Sequence, residues 1–168
     1  MKKYTLAIMI SVACMSASAQ WKYDTKKSAM TDAMDTSANL KSENKFAFGF
    51  PYQGGTSEWI KVRRHDGLID VAIVINKGQI VHNGGVTIRF DDDEAMEFQL
   101  DEPGDGDSAW AFIHFHGYLK GCTTDCHVSQ DDFMRRLQTS RRMRVQATYY
   151  QEGQKVYEFK TGGLSFPG

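Results

Sequence analysis

The chain has 168 residues, 20 basic against 21 acidic, and 41% of them are hydrophobic. A near-neutral balance without a basic tail or stripe excludes a general nucleic-acid binder. The length fits one domain with enough Trp, Phe, Tyr and Val for a core, and after the N-terminus no apolar run is long enough for a transmembrane segment.

Residues 1–19 read as a secretory signal peptide: Lys2 and Lys3 give a positive start, Leu6 to Met15 an apolar run, and Ala17-Ser18-Ala19 a small-residue cleavage site before Gln20. Ser11-Val12-Ala13-Cys14 is a competing lipid-attachment box, which would anchor the product through Cys14. Ser11 stands where such boxes usually carry Leu, so the expectation is cleavage near Ala19-Gln20 and a periplasmic or secreted chain. Lys2 and Lys3 leave with the signal, which moves the exported chain to the acidic side.

Residues 20–45 are rich in Ser, Thr, Ala, Lys and Asp, and read as a polar, solvated leader with one possible strand at Trp21-Tyr23. Residues 46–168 read as a β-rich domain. Phe46, Phe48 and Phe50 alternate before Pro51, and Trp59 to Arg63 alternates again. Val71 to Ile75 is continuously apolar, the pattern of a strand covered on both faces. Asn83-Gly84 between β-rich segments predicts a hairpin leading into Val86 to Phe90.

Met96, Phe98 and Leu100 alternate, Pro103 to Asp107 is a loop, and Trp110 to His116 is a further strand. Ser129 with Asp132 predicts a capped helix start, and Phe133 and Leu137 give it one apolar stripe. Arg135, Arg136, Arg141 and Arg142 suit its outer face and negative end. Met143 to Tyr150 and Val156 to Phe159 predict a hairpin around Glu152-Gly153. The fold class is mainly β: an antiparallel β-sandwich or open barrel with one short α-helix.

Ser42-x-Asn44 with Pro51-Tyr52-Gln53-Gly54-Gly55, then Gly78-Gln79, Val86-x-Ile88-Arg89-Phe90-Asp91-Asp92, and Tyr149-Tyr150-Gln151-x-Gly153 followed by Phe159 resemble a family of exported proteobacterial proteins with no assigned reaction. More distantly, the signal, Arg89-Phe90-Asp91 and Gly163-Leu164 are similar to periplasmic accessory proteins of type VI secretion. The tail from Cys122 onward also resembles the invasion-associated locus B family. The first of these families, the exported proteobacterial proteins, usually carries a cysteine pair around the Gly-Gln strand, where this chain has Val81 to Gly85. The resemblance implies a non-catalytic envelope protein.

Cys122 and Cys126 lie four apart in an expected oxidising compartment, and a disulfide is the first reading of them. So short a loop would pin its own segment more than stabilise the domain. The alternative is a small metal- or redox-handling site in which His114 and His116, two apart on one strand face, join both thiols, with His127 beside Cys126. Asp91 to Glu94 and Asp101 to Asp107 supply oxygen ligands but match no calcium loop. Arg63, Arg89 and Asp91 form a candidate structural ionic network, with Arg63 and Arg64 as an anion patch in the functional reading. No catalytic motif is present, no cofactor is expected, and a cell-wall hydrolase ranks last. The expected partner is an envelope or secretion-apparatus protein, met through a sheet face or edge, with Phe46 to Tyr52 and Tyr149 to Phe159 as candidate surfaces.

Overall fold

A computed structural model describes residues 21–27, 34–65, 67–120 and 127–165, with backbone alone for His116 and Tyr118. Strands run in the order β1 (Lys22–Lys27), β2 (Met34–Lys41), β3 (Phe46–Phe48), β4 (Gly54–Thr56), β5 (Glu58–His65) and β6 (Leu68–Ile75). Then come β7 (Val86–Phe90), β8 (Met96–Asp101), β9 (Trp110–Leu119) and β10 (His127–Val128). The helix α1 (Gln130–Thr139) precedes the hairpin β11 (Arg142–Tyr149) and β12 (Gly153–Lys160). The fold is mainly β with one short α-helix, and its described strand pairings are all antiparallel.

Most of the strands belong to one sheet ordered β1-β2-β5-β6-β9-β8-β7-β11-β12, with β10 beside β9; β3 and β4 form a separate ribbon. The sheet curls until its ends meet. Residues after β2 continue along the far edge of β12: Glu43 N–H donates to the Glu158 carbonyl at 2.7 Å, and the Asn44 side chain bonds both Val156 and Glu158 backbones. Trp21 donates its indole N–H to the Gly162 carbonyl at 3.1 Å, tying the start of the described chain to its end. Of the two expected architectures, the single curled sheet, bridged at its ends by Glu43 and Asn44, corresponds to the open barrel.

Alternation drives this closure because period-two apolar residues must all face inward. Met96, Phe98 and Leu100 of β8 are buried between exposed neighbours, as are Met143, Val145, Ala147 and Tyr149 of β11 between half-buried ones. Beside Phe98 the β8–β9 register slips, and Gly117 lies under the ring: a Cβ there would stand 2.2 Å from it. Only glycine fits that approach.

The two ends of the barrel are filled differently. α1 starts where predicted, with the Ser129 hydroxyl accepting from Asp132 N–H, a cap worth about 1 kcal/mol. It buries Phe133 and Leu137 as expected, with Met134, and sets Phe133 edge-on to Phe90, Phe98 and Phe115 at 5.3 to 5.6 Å. At the other end the β3–β4 ribbon lays Phe46 and Phe48 on Tyr157 and Tyr149.

Three expectations need correction. Residues 20–45 are not simply a solvated leader: β1 and β2 extend the sheet, and Trp21, Ala38 and Leu40 are buried. Their polar composition reflects strands with one wet face, and in β1 two. Asn83-Gly84 makes no hairpin; it forms a short 3-10 turn, while Ile80 bridges to Tyr149 and β6 pairs with β9. Phe50 does not continue the Phe46–Phe48 alternation and is exposed before a cis Phe50-Pro51 bond. The Glu152-Gly153 hairpin forms as predicted, with Tyr149 opposite Gly153. No described helix is long and apolar enough to cross a membrane.

Candidate functional site

The barrel wall has a gap between β6 and β9. Their ladder covers only Ala72 to Val74 against Trp110 to Phe112. Beyond it β9 runs on to pair with β10 at Gly117 and Tyr118, while β6 stays with β5 as far as Leu68. Between the parted strands lies a cleft of about 540 Å³.

Its lining follows from strand alternation. Ile69 and Val71 of β6 and Ile113 and Phe115 of β9 give an apolar inner wall, while Asp70, Asp101, Phe112 and His114 stand on the outer side. Ser129 and Gln130, at the start of α1, form the floor. The Gln130 side-chain amide donates to the Ile69 carbonyl at 2.6 Å, so that backbone group points into the cleft. Backbone groups of an antiparallel strand face its two sides alternately, so those of Val71 point the same way.

The rim carries two ion pairs. Arg63 holds Asp70 at 2.7 Å, and His114 Nδ1 meets Asp101 at 2.8 Å; both contacts use Oδ2 of the carboxylate. From here a cation–aromatic row crosses the outer face: Arg63 lies over Phe112, Lys61 over Trp110 and Lys41 over Trp59, at 5.6, 4.6 and 5.4 Å. Each such pair contributes about 0.5–1 kcal/mol where exposed. Burial of the Lys61 ammonium, then the like charges of Arg63 and Lys26, pull its pKa below the ordinary lysine range, and Asp24 opposes them.

A second cluster sits inside the barrel at the closure. Glu58 begins β5 on the inward face and is fully buried. The Tyr149 hydroxyl donates to Glu58 Oε2, while Glu58 Oε1 and the neighbouring Thr56 hydroxyl have no hydrogen-bond partner among the described residues. Tyr157 donates to the Thr56 carbonyl at 3.2 Å. The Glu58 backbone exchanges bonds with Ser42, the residue before the Glu43–Glu158 contact. Burial pushes the Glu58 carboxyl up to about 8, against which the Tyr149 bond works, so it is neutral at pH 7. Burial, then the charge of Glu58, raises the Tyr149 hydroxyl well above its usual range. A neutral, half-satisfied carboxyl surrounded by phenols is a core device rather than a catalytic base.

The predicted ionic network is dispersed. Arg63 lies on β5 and Arg89 on β7, four strands away in the sheet order, so the expected network of Arg63, Arg89 and Asp91 does not form. Arg89 instead donates to the carbonyls of Asp92 and Asp93, and Asp91, past the end of β7 with φ 42°, accepts from the backbone N–H groups of Arg141 and Arg142. That ties the β7–β8 turn to the end of α1. His114 is at the cleft, His127 opposes Tyr118, and the His116 side chain, Cys14, Cys122 and Cys126 lie outside the described residues. Among the described residues no three His, Cys, Asp or Glu side chains gather as for a metal. Phe48, Tyr149, Tyr157 and Phe159 are core, which leaves Phe50 and Tyr150 as the exposed rings of the two suspected aromatic surfaces.

Sequence reasoning missed Glu58, although its signal was available: counting back by two from Val62 through Ile60 places a carboxylate on the inward face. Asp70, Asp101 and Gln130 carried no such signal, because the cleft exists only where two distant strands part. Comparison of the chain with family models, curated proteins and solved structures found no match.

Proposed function

We propose that this chain is a non-catalytic accessory protein of the bacterial envelope, exported by its N-terminal signal, that holds a partner protein by strand addition at the β6–β9 cleft. A secretion-apparatus subunit of the type VI kind is the partner class the sequence resemblance favours. The observation that carries the reading is the gap itself, where the wall presents strand edges beside an apolar lining. Main-chain bonds at such an edge give affinity, and alternate side-chain pockets give specificity. The metal- or redox-handling alternative rests on Cys122, Cys126 and the His116 side chain, which lie outside the described residues.

Site-specific photocrosslinking in cells tests this. A crosslinker replacing Asp70 is expected to trap one envelope protein, and one replacing Val156, on the far side of the sheet order, is expected to trap none. Equal yields at both positions, or turnover of peptidoglycan by the purified chain, would contradict the proposal.

A further inference from the structure

The cleft's two-sided lining also specifies what kind of strand would enter it. Resting on the strand-addition reading above, we infer that the occupant is an extended peptide segment alternating apolar with basic residues. A strand placed between β6 and β9 sends successive side chains to opposite faces. Those directed inward meet Ile69, Val71 and Ile113, an apolar wall that rewards Val, Ile or Leu. Those directed outward reach the rim, where the charged lining residues are Asp70, Asp101 and His114. Both carboxylates are about half exposed, and among the described residues each is engaged through Oδ2 alone. Arg63 and His114 meet these carboxylates through Oδ2, which leaves each Oδ1 toward the opening. The opening therefore complements positive charge on the outer positions and repels acidic ones.

The register sets the scale. Leu68 to Asp70 of β6, and the N–H of Val71, have β5 on one side and no ladder to β9 on the other, so the insertion site spans about four residues. The Ile69 carbonyl is held by Gln130, and the Ala72–Phe112 pairing uses the Val71 carbonyl and the Ile113 N–H. That makes the Val71 N–H and the Ile113 carbonyl the places where new main-chain bonds would form. Two apolar and two basic residues fill such a window.

The test uses the full exported chain and three synthetic peptides that share one Val/Ile pattern and carry Lys, Ser or Glu at the alternate positions. Titration is read by hydrogen exchange at the Val71 amide and by Trp fluorescence. The expected order of affinity is Lys, then Ser, then Glu, with Lys-peptide affinity falling as salt rises. Asp70→Asn and Asp101→Asn should each weaken the Lys peptide about 2- to 5-fold and leave the Ser peptide unchanged. If all three peptides protect the Val71 amide equally, strand addition stands and the charge rule is overturned. If none protects it, both are overturned. Unaltered thermal melting of the two Asn variants separates lost recognition from lost folding.

Discussion

The wall of the barrel is interrupted at the β2–β12 junction and again at the β6–β9 cleft. At the junction, Glu43 and Asn44 bond β12, Ser42 bonds Glu58, and Tyr149 and Tyr157 fill the space behind. At the cleft, one side-chain amide crosses to Ile69 and the rest of the opening is lined, not filled. The first break is finished with large rings and a neutral carboxyl. The second carries paired charges at its rim and an apolar wall behind them. Closing a ladder with side chains stabilises; leaving it open preserves strand edges that another chain can use.

The largest predicted effect sharpens the sealed side. Glu58 has its folded-state pKa raised to about 8 from 4.5, so the folded state holds a proton that the unfolded state releases between those values. Stability is therefore full below pH about 4.5 and falls by about 1.4 kcal/mol per unit up to about pH 8, then levels. Glu58→Gln keeps an acceptor for Tyr149 and should flatten this dependence, leaving the variant the more stable protein at pH 8. Denaturant unfolding across that range checks it, and parallel curves for both proteins would contradict a buried neutral carboxyl.

A smaller loss is expected from Tyr149→Phe, which strips Glu58 of its only side-chain hydrogen bond among the described residues. The cost should be about 1–3 kcal/mol of unfolding free energy. An unchanged midpoint would show that the junction does not depend on that contact. The smallest effect belongs to the open side: Gln130→Ala should cost under about 1 kcal/mol, because the Ile69 carbonyl it releases lines an accessible cleft. A loss of several kcal/mol there would mean the cleft is sealed core after all, and the contrast would fail.

How far the molecule was legible in the sequence follows from where its information is local. β8, β11 and the final hairpin were readable because alternation and a Glu-Gly turn are local patterns, and Ser129 announced α1 by its own hydrogen bond. β1 was legible only at its start, as the possible strand at Trp21-Tyr23, since all of its residues are exposed and no alternation marks it. The junction joins residues more than a hundred positions apart, such as Asn44 and Val156, which no short window reveals. The expected Arg63, Arg89 and Asp91 network failed for a related reason: facing the same way on strands does not make neighbours when three other strands lie between. The cleft was invisible because it is defined by pairing that stops.

The measurement that tests the contrast most directly is native-state hydrogen exchange of the unbound chain, residue by residue. The Glu43 amide, bonded to β12 at the closed junction, should exchange only through global unfolding. The Val71 amide, facing the cleft, should exchange through local opening and be faster by orders of magnitude at a pH where both amides have similar intrinsic rates. Equal protection of the two would contradict the account, because the β6–β9 edge would then be as closed as the seam.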